Sequence, residues 1–196
     1  MMIYQLYKTL SVIFILVFLG ASWSHAQNIR EDYIGFGVIG EYSNDIRIYP
    51  LAGFVWERKF TAKSGLETGM YYRSDRLKMF LNVSQSGGGG FSELVSIREH
   101  YLSFPIVYRY YLPKYTLSLG PVVDVFVGWD QLKKDRVTVD AFSRSPNFDL
   151  GPLLKVSRQW AITEKLFLEP EIRFGALTRT STLFFGIGVQ LKEKLR

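Results

Sequence analysis

The chain has 196 residues, no cysteine and a formal net charge of +6, with 47% hydrophobic and 21% charged residues. That length suits one domain, and the lack of cysteine excludes a disulfide framework, a thiolate metal site, a cysteine nucleophile and a lipid-modified N-terminal cysteine. The basic excess is scattered along the chain without a recognition-helix or RNA-binding motif, which argues against nucleic acid as a partner.

In chain order, residues 1–8 end in the cation Lys8, and residues 10–20 (LSVIFILVFLG) are almost wholly apolar. Ser24 and Ala26 then supply the small side chains that a signal peptidase accepts. This pattern predicts a secretory signal peptide over 1–26, cleaved before Gln27, and a mature domain over 27–196. The apolar run is shorter than the ~20 residues a membrane-crossing helix needs. Since no later segment has 18 consecutive apolar residues, any membrane span must be made of strands.

From Tyr33 onward the dominant period is two. Ile34, Phe36 and Val38 alternate with Gly35 and Gly37, and Leu117, Leu119, Val123, Val125, Val127 and Trp129 alternate with Ser118, Gly120, Asp124 and Gly128. The pattern returns at Leu166, Leu168, Ile172 and Phe174 against Glu169, Glu171, Arg173 and Gly175, then at Leu183 to Leu191 against Gly186, Gly188 and Gln190. Eight strands are predicted at 33–43, 47–60, 65–75, 95–112, 115–129, 147–160, 165–178 and 181–192. Connections after the second, fourth and sixth are short, whereas 76–94 and 130–146 are expected to be long loops. Parity supports the register, since residues facing each other across a hairpin point to the same side. A turn at Pro113-Lys114 sets Leu112 opposite Tyr115 and Arg109 opposite Ser118; one at Arg179-Thr180 sets Ala176 opposite Leu183.

The contents of the two faces separate the possible barrels. A soluble calyx is apolar inside and charged outside. Here the minor face mixes small residues with opposite charges, while the apolar face ends in aromatics: Phe60, Tyr110, Tyr115 and Trp160 towards the short turns, Tyr42, Tyr72, Trp129 and Phe148 towards the long loops. The predicted fold is therefore all-β, an eight-stranded antiparallel up-and-down transmembrane β-barrel with two interfacial girdles. Glu57, Glu67, Arg109, Asp124, Lys155, Glu169, Glu171 and Arg173 all fall on the inward face. A barrel this narrow is filled by side chains, so these charges are expected to pair and plug it. Arg109 should bridge Glu57 and Glu67, and Lys155 should lie beside Glu169 or Glu171. The rival reading is a polar pathway for ions, with the charges left open in the lumen.

His100 is the mature chain's one histidine, and on a strand it points away from Ser103, so the two form no catalytic pair. A lone histidine also makes no metal site, and no cofactor motif is present. Arg76, Lys78, Lys133, Lys134, Arg136 and Arg144 fall in the expected long loops. There they could meet lipopolysaccharide phosphates or an acidic partner, diluted by Asp75, Asp130, Asp135 and Asp140.

Three stretches, Leu66-Glu67-Thr68-Gly69-Met70-Tyr71-Tyr72, His100-Tyr101-Leu102-Ser103-Phe104-Pro105-Ile106-Val107-Tyr108-Arg109-Tyr110 and Leu119-Gly120-Pro121, with a late Gly-Ile-Gly-Val strand at 186–189, occur in order. Together they resemble the PorT-like outer-membrane β-barrel family of Bacteroidetes-type bacteria. One departure is the end, where Leu191 is followed by the charged run 192–196 and not by the terminal aromatic residue usual for barrel-assembly recognition. The resemblance implies an integral outer-membrane barrel in contact with outer-membrane lipid and lipopolysaccharide, and with the barrel-assembly machinery during insertion. The family namesake is associated with protein export, a role that fold-level likeness does not transfer. The expected function is a structural or interaction role. Its rivals are a narrow channel, a lipid-modifying enzyme and a soluble periplasmic binding barrel.

Overall fold

The computed structural model describes residues 30–43, 47–84, 90–132, 139, 142, 147–178 and 181–195. The leader and the expected loop cations Lys133, Lys134, Arg136 and Arg144 lie outside the described residues, as do Asp135 and Asp140. Among the described residues every regular element is a strand: β1 Glu31–Ser43, β2 Arg47–Lys59, β3 Ser64–Ser84, β4 Gly90–Tyr111, β5 Thr116–Gln131, β6 Phe148–Ser157, β7 Trp160–Ala161, β8 Leu166–Leu177 and β9 Thr182–Lys194.

Each strand is antiparallel to its neighbours, in the order β6-β5-β4-β3-β2-β1-β9-β8-β7. β6 also pairs with β8, from Leu153↔Gly175 to Ser157↔Glu171. The ladder therefore returns on itself, and the sheet is a ring with no free edge along that stretch. β7 continues β6 after an interruption at Arg158 and Gln159, so the predicted sixth strand is present in two pieces. Connections at 60–63, 112–115 and 162–165 share one end of the ring with the start of β1 and the end of β9.

Inward and outward residues alternate strictly through the lower ring. On β6, Asp149, Gly151, Leu153, Lys155 and Ser157 are buried, while Phe148, Leu150, Pro152 and Leu154 are exposed. β1 and β9 divide likewise, with Phe36, Val38, Ile187, Val189 and Leu191 outside. The hairpin parities hold at both tested turns, with Arg109↔Ser118 and Ala176↔Leu183 in register. Pairing continues to Leu112, whose amide donates to the Tyr115 carbonyl at 2.8 Å.

Two expectations are corrected at the opposite end. The first concerns 76–94, expected as a loop. β3 and β4 continue as a paired hairpin to Ser84↔Gly90, so Arg76 and Lys78 are strand residues. The reason is legible in the side chains: Leu77 and Met79 stand opposite Ile97 and Val95, giving the extension an apolar inner face. β2 leaves β3 at Arg73, so beyond that point β3 has β4 as its sole ladder partner among the described residues. At roughly 3.3 Å per residue the 11 further residues to Ser84 carry the hairpin about 35 Å along the strand direction.

The second correction concerns Gly128 and Trp129. The register on β5 passes from Tyr101↔Phe126 to His100↔Gly128, which makes Val127 an extra residue in a β-bulge. One extra residue reverses parity, so Gly128 joins the outward face with His100 and Trp129 joins the inward face with buried Glu99. Trp129 packs edge-on against Phe142, ring centroids 5.8 Å apart, and does not belong to the outer girdle.

Candidate functional site

The most concentrated chemistry lies inside the ring, at the short-turn end. Glu57 on β2 stands directly opposite Glu67 on β3, a like-charge pair that is destabilising unless cations intervene. Two do. The Arg109 guanidinium is 3.0 Å from Glu57, pairs with Glu67, and reaches Glu169 on β8 at 2.6 Å. The Lys192 ammonium sits among the same three carboxylates, 2.6 Å from Glu57 and 2.8 Å from both Glu67 and Glu169. Lys155 pairs with Glu67 and lies 3.2 Å from Glu171. Tyr111 donates its hydroxyl to Glu57 at 2.5 Å. Hydrogen bonds with an ionised donor or acceptor, as all of these have, are the strong class.

Six strands, β2, β3, β4, β6, β8 and β9, contribute to the cluster, so it ties the sheet across its lumen as well as along its ladder. Arg109, Glu169 and Lys192 are 0% exposed. The Glu57, Glu67 and Glu169 oxygens lie within 4.8 Å of one another, close enough to hold a metal ion. The cation at their centre is the Lys192 ammonium.

Above this layer Tyr71 spans the lumen. A Cβ at Gly37 would stand 3.1 Å from the Tyr71 hydroxyl, so a side chain there needs the ring to move; the bare glycine faces leave it room. Gln190 donates to the Tyr71 hydroxyl at 3.1 Å and to Glu171 at 2.6 Å. A second charged tier follows, with Arg73 2.7 Å from Asp124 and Arg173 2.9 Å from Glu41. Apolar residues fill the wall between and beside the tiers, Ile39, Leu51 and Tyr49 on one flank and Val107, Val122, Leu153, Leu177 and Phe184 on the other.

No family model and no curated protein matches this chain. Among solved structures, it is similar to Ail, the attachment invasion locus protein of Yersinia pestis, at 9% identity and a TM-score of 0.49 over 85% of this chain and 97% of that one. Neisserial surface protein A gives the same identity, TM-score and coverages. The N-terminal β-barrel domain of Pseudomonas aeruginosa OprF follows at 10% identity and 0.43, over 84% of this chain and 99% of that one.

All eight inward charges singled out from the sequence are buried in the lumen, and the structure joins Glu57, Glu67, Arg109, Lys155, Glu169 and Glu171 in one network, with Asp124 and Arg173 in the tier above. Sequence reasoning missed Lys192, Glu41 and Arg73. Parity alone points to them: Lys192 follows Gln190 by two on the inward face of β9, and Arg73 follows Tyr71 by two on β3. Lys192 escaped notice because the predicted last strand stopped there.

His100 lies outward near the upper aromatic level. Its Nδ1 hydrogen-bonds to the Tyr72 hydroxyl, and its Nε2 is 2.6 Å from an Asp130 carboxylate oxygen. Ser103, three residues further along β4, is buried on the inward face, so histidine and serine form no pair. The structure therefore assembles a Tyr72–His100–Asp130 chain that spacing along the sequence did not reveal, because its members come from three strands.

Proposed function

We propose that this protein is a small integral outer-membrane barrel whose lumen is sealed by its own charges, and whose work is done by the surface-exposed end above the ring. The observation that carries this reading is the inversion of the usual distribution: Glu57, Glu67, Arg109, Lys155, Glu169 and Lys192 are enclosed in the ring, while Phe36, Phe54, Leu119, Leu154 and Ile187 face outward. Water offers no reason to build a sheet that way, whereas lipid does. Phe60, Tyr110, Tyr115 and Trp160 stand outward at one end of the apolar band and Tyr42, Tyr72 and Phe148 at the other, as interfacial girdles require.

In this reading the leader at 1–26 sends the chain across the inner membrane, the barrel-assembly machinery inserts it, and lipopolysaccharide surrounds its outer half. The segments that resemble the PorT-like family support the same placement; the export role of the namesake is not part of it. The role in this reading is structural or interaction-type, and the hydrogen bonds of His100 to Tyr72 and Asp130 serve to fix the outward face of β3, β4 and β5. A channel is disfavoured by the complete enclosure of Arg109, Glu169 and Lys192, because passage requires those pairs to part in a narrow, poorly hydrated space.

The test is fractionation together with planar-bilayer recording. The mature chain should remain with outer membranes through alkaline carbonate and should show no steady conductance, whereas Arg109→Ala should leak small ions. Recovery as a soluble periplasmic protein overturns the membrane placement. Strong conductance by the unaltered protein overturns the seal.

A further inference from the structure

Above the upper girdle the outward face of the β3–β4 hairpin changes from apolar to cationic. Arg76 stands directly opposite Arg98, and Lys78 lies two residues beyond Arg76 on the same face. Like charges in directly opposed positions destabilise a strand pair unless something of the other sign intervenes. Within the chain the obvious counter-ion is Asp130, which stands opposite Arg98 on β5. Its carboxylate is instead held by His100 at 2.6 Å, and Arg76, Lys78 and Arg98 form no ion pair among the described residues. Beside them Gly128, turned outward by the Val127 bulge, has nothing within 4 Å of the place where a Cβ would stand. The surface is thus a row of unmatched cations next to an open notch.

We propose that Arg76 and Arg98, assisted by Lys78, bind the phosphate of a phosphorylated outer-leaflet glycolipid. This inference rests on the membrane reading above. The side chains point away from the barrel wall, and Tyr72 and His100 mark the interface about one to two side chains lower on the same face. A lipid whose acyl chains lie along the apolar band therefore brings its headgroup to this row. Two guanidinium groups can each offer a fork of N–H donors to phosphate oxygens, which a pair of lysines does less well. The His100–Asp130 contact has a purpose in this scheme: it engages the carboxylate that stands opposite Arg98 on the outward face.

The test uses the full mature chain in phosphatidylcholine nanodiscs doped with lipid A or with its dephosphorylated form, read by native mass spectrometry of retained lipid. Insertion is followed separately by the heat-dependent shift in electrophoretic mobility. The unaltered protein should retain phosphorylated lipid A over the dephosphorylated form, and the Arg76→Gln/Arg98→Gln double variant should lose about ten- to a hundredfold of that preference. Arg158→Gln, an outward arginine at the opposite end of the ring, should leave it unchanged. A chain that inserts with no preference for the phosphorylated lipid, or a double variant that keeps it, overturns the site while leaving the membrane reading intact. Displacement of the lipid by millimolar inorganic phosphate overturns the lipid as occupant, and failure to insert at all overturns the membrane reading and the site with it.

Discussion

The lower ring and the upper hairpin carry opposite polarity on corresponding faces. Below Tyr72, β3 and β4 turn Met70, Ile106 and Tyr110 outward and Glu67 and Arg109 inward. Above it, the same strands turn Arg76, Lys78 and Arg98 outward and Leu77, Met79, Val95 and Ile97 inward, with Phe80 and Leu94 as outward exceptions and Asp75, Glu93 and Glu99 as inward ones. The backbone geometry is continuous across this level, so the change reports a change in surroundings. Where lipid lies outside, polar groups can be satisfied only inside, and where water lies outside the hairpin can use the ordinary arrangement. The change falls at the level of the bulge at Val127, which lets β5 exchange its faces within one residue.

The strongest way to break this comparison is to remove a charge from the lower interior. Lys192→Met takes away the ammonium shared by Glu57, Glu67 and Glu169 while keeping a side chain of similar length. Three carboxylates then share the remaining cations in an enclosed space, and loss of one partner from a buried ionic cluster costs about 3–5 kcal/mol. Urea unfolding of the protein in lipid vesicles should show the midpoint falling accordingly. An unchanged midpoint would mean that the lower interior is hydrated, and that the two regions differ less than the burial pattern implies.

A second pair of substitutions sharpens the outer side of the comparison. Ile187, 59% exposed, faces outward midway along β9 in the lower ring, and Leu94, 44% exposed, faces outward on the hairpin. Ile187→Arg should cost roughly 2–4 kcal/mol in a bilayer, the range for a cation near the midplane, while Leu94→Arg should cost about 0–1 kcal/mol. Folding yields into vesicles and unfolding free energies both read this difference. Equal costs at the two positions would remove the lipid boundary from the level of Tyr72.

The lower ring was legible in the sequence and the upper hairpin was not, for one physical reason. A strand with lipid on one side and a packed lumen on the other has two strongly different faces, so the period of two fixes which residue points where and brings Glu57, Glu67 and Arg109 together on the inward face. At Arg76 the contrast between faces reverses and weakens. Charged residues on the outward face, followed by the four glycines 87–90, resemble a loop when composition is read without pairing. The bulge was hidden for a related reason: Val125, Phe126 and Val127 are all apolar, so the alternation gives no sign of which one is extra. Closure of Tyr72, His100 and Asp130 into one chain of hydrogen bonds depends on that bulge, and could not be foreseen from any single strand.

The smallest expected effect concerns the bulge itself, and it separates two neighbouring residues. Without the bulge Gly128 faces the lumen and Trp129 faces lipid; with it, Gly128 lies outward beside His100 and Trp129 lies inward with Glu99. Trp129→Ala should cost about 0.5–3 kcal/mol, because the indole loses its packing against Phe142 on the inner side of β5. Gly128→Ser should fall within about 0.5 kcal/mol of the unaltered protein, since a Cβ there meets no atom within 4 Å. Unfolding midpoints of the two variants in the same vesicles provide the measurement. The reverse order, a costly serine at 128 and a harmless alanine at 129, would restore unbroken alternation on β5, return Gly128 to the lumen, and separate His100 from the Asp130 carboxylate that the outward row depends on.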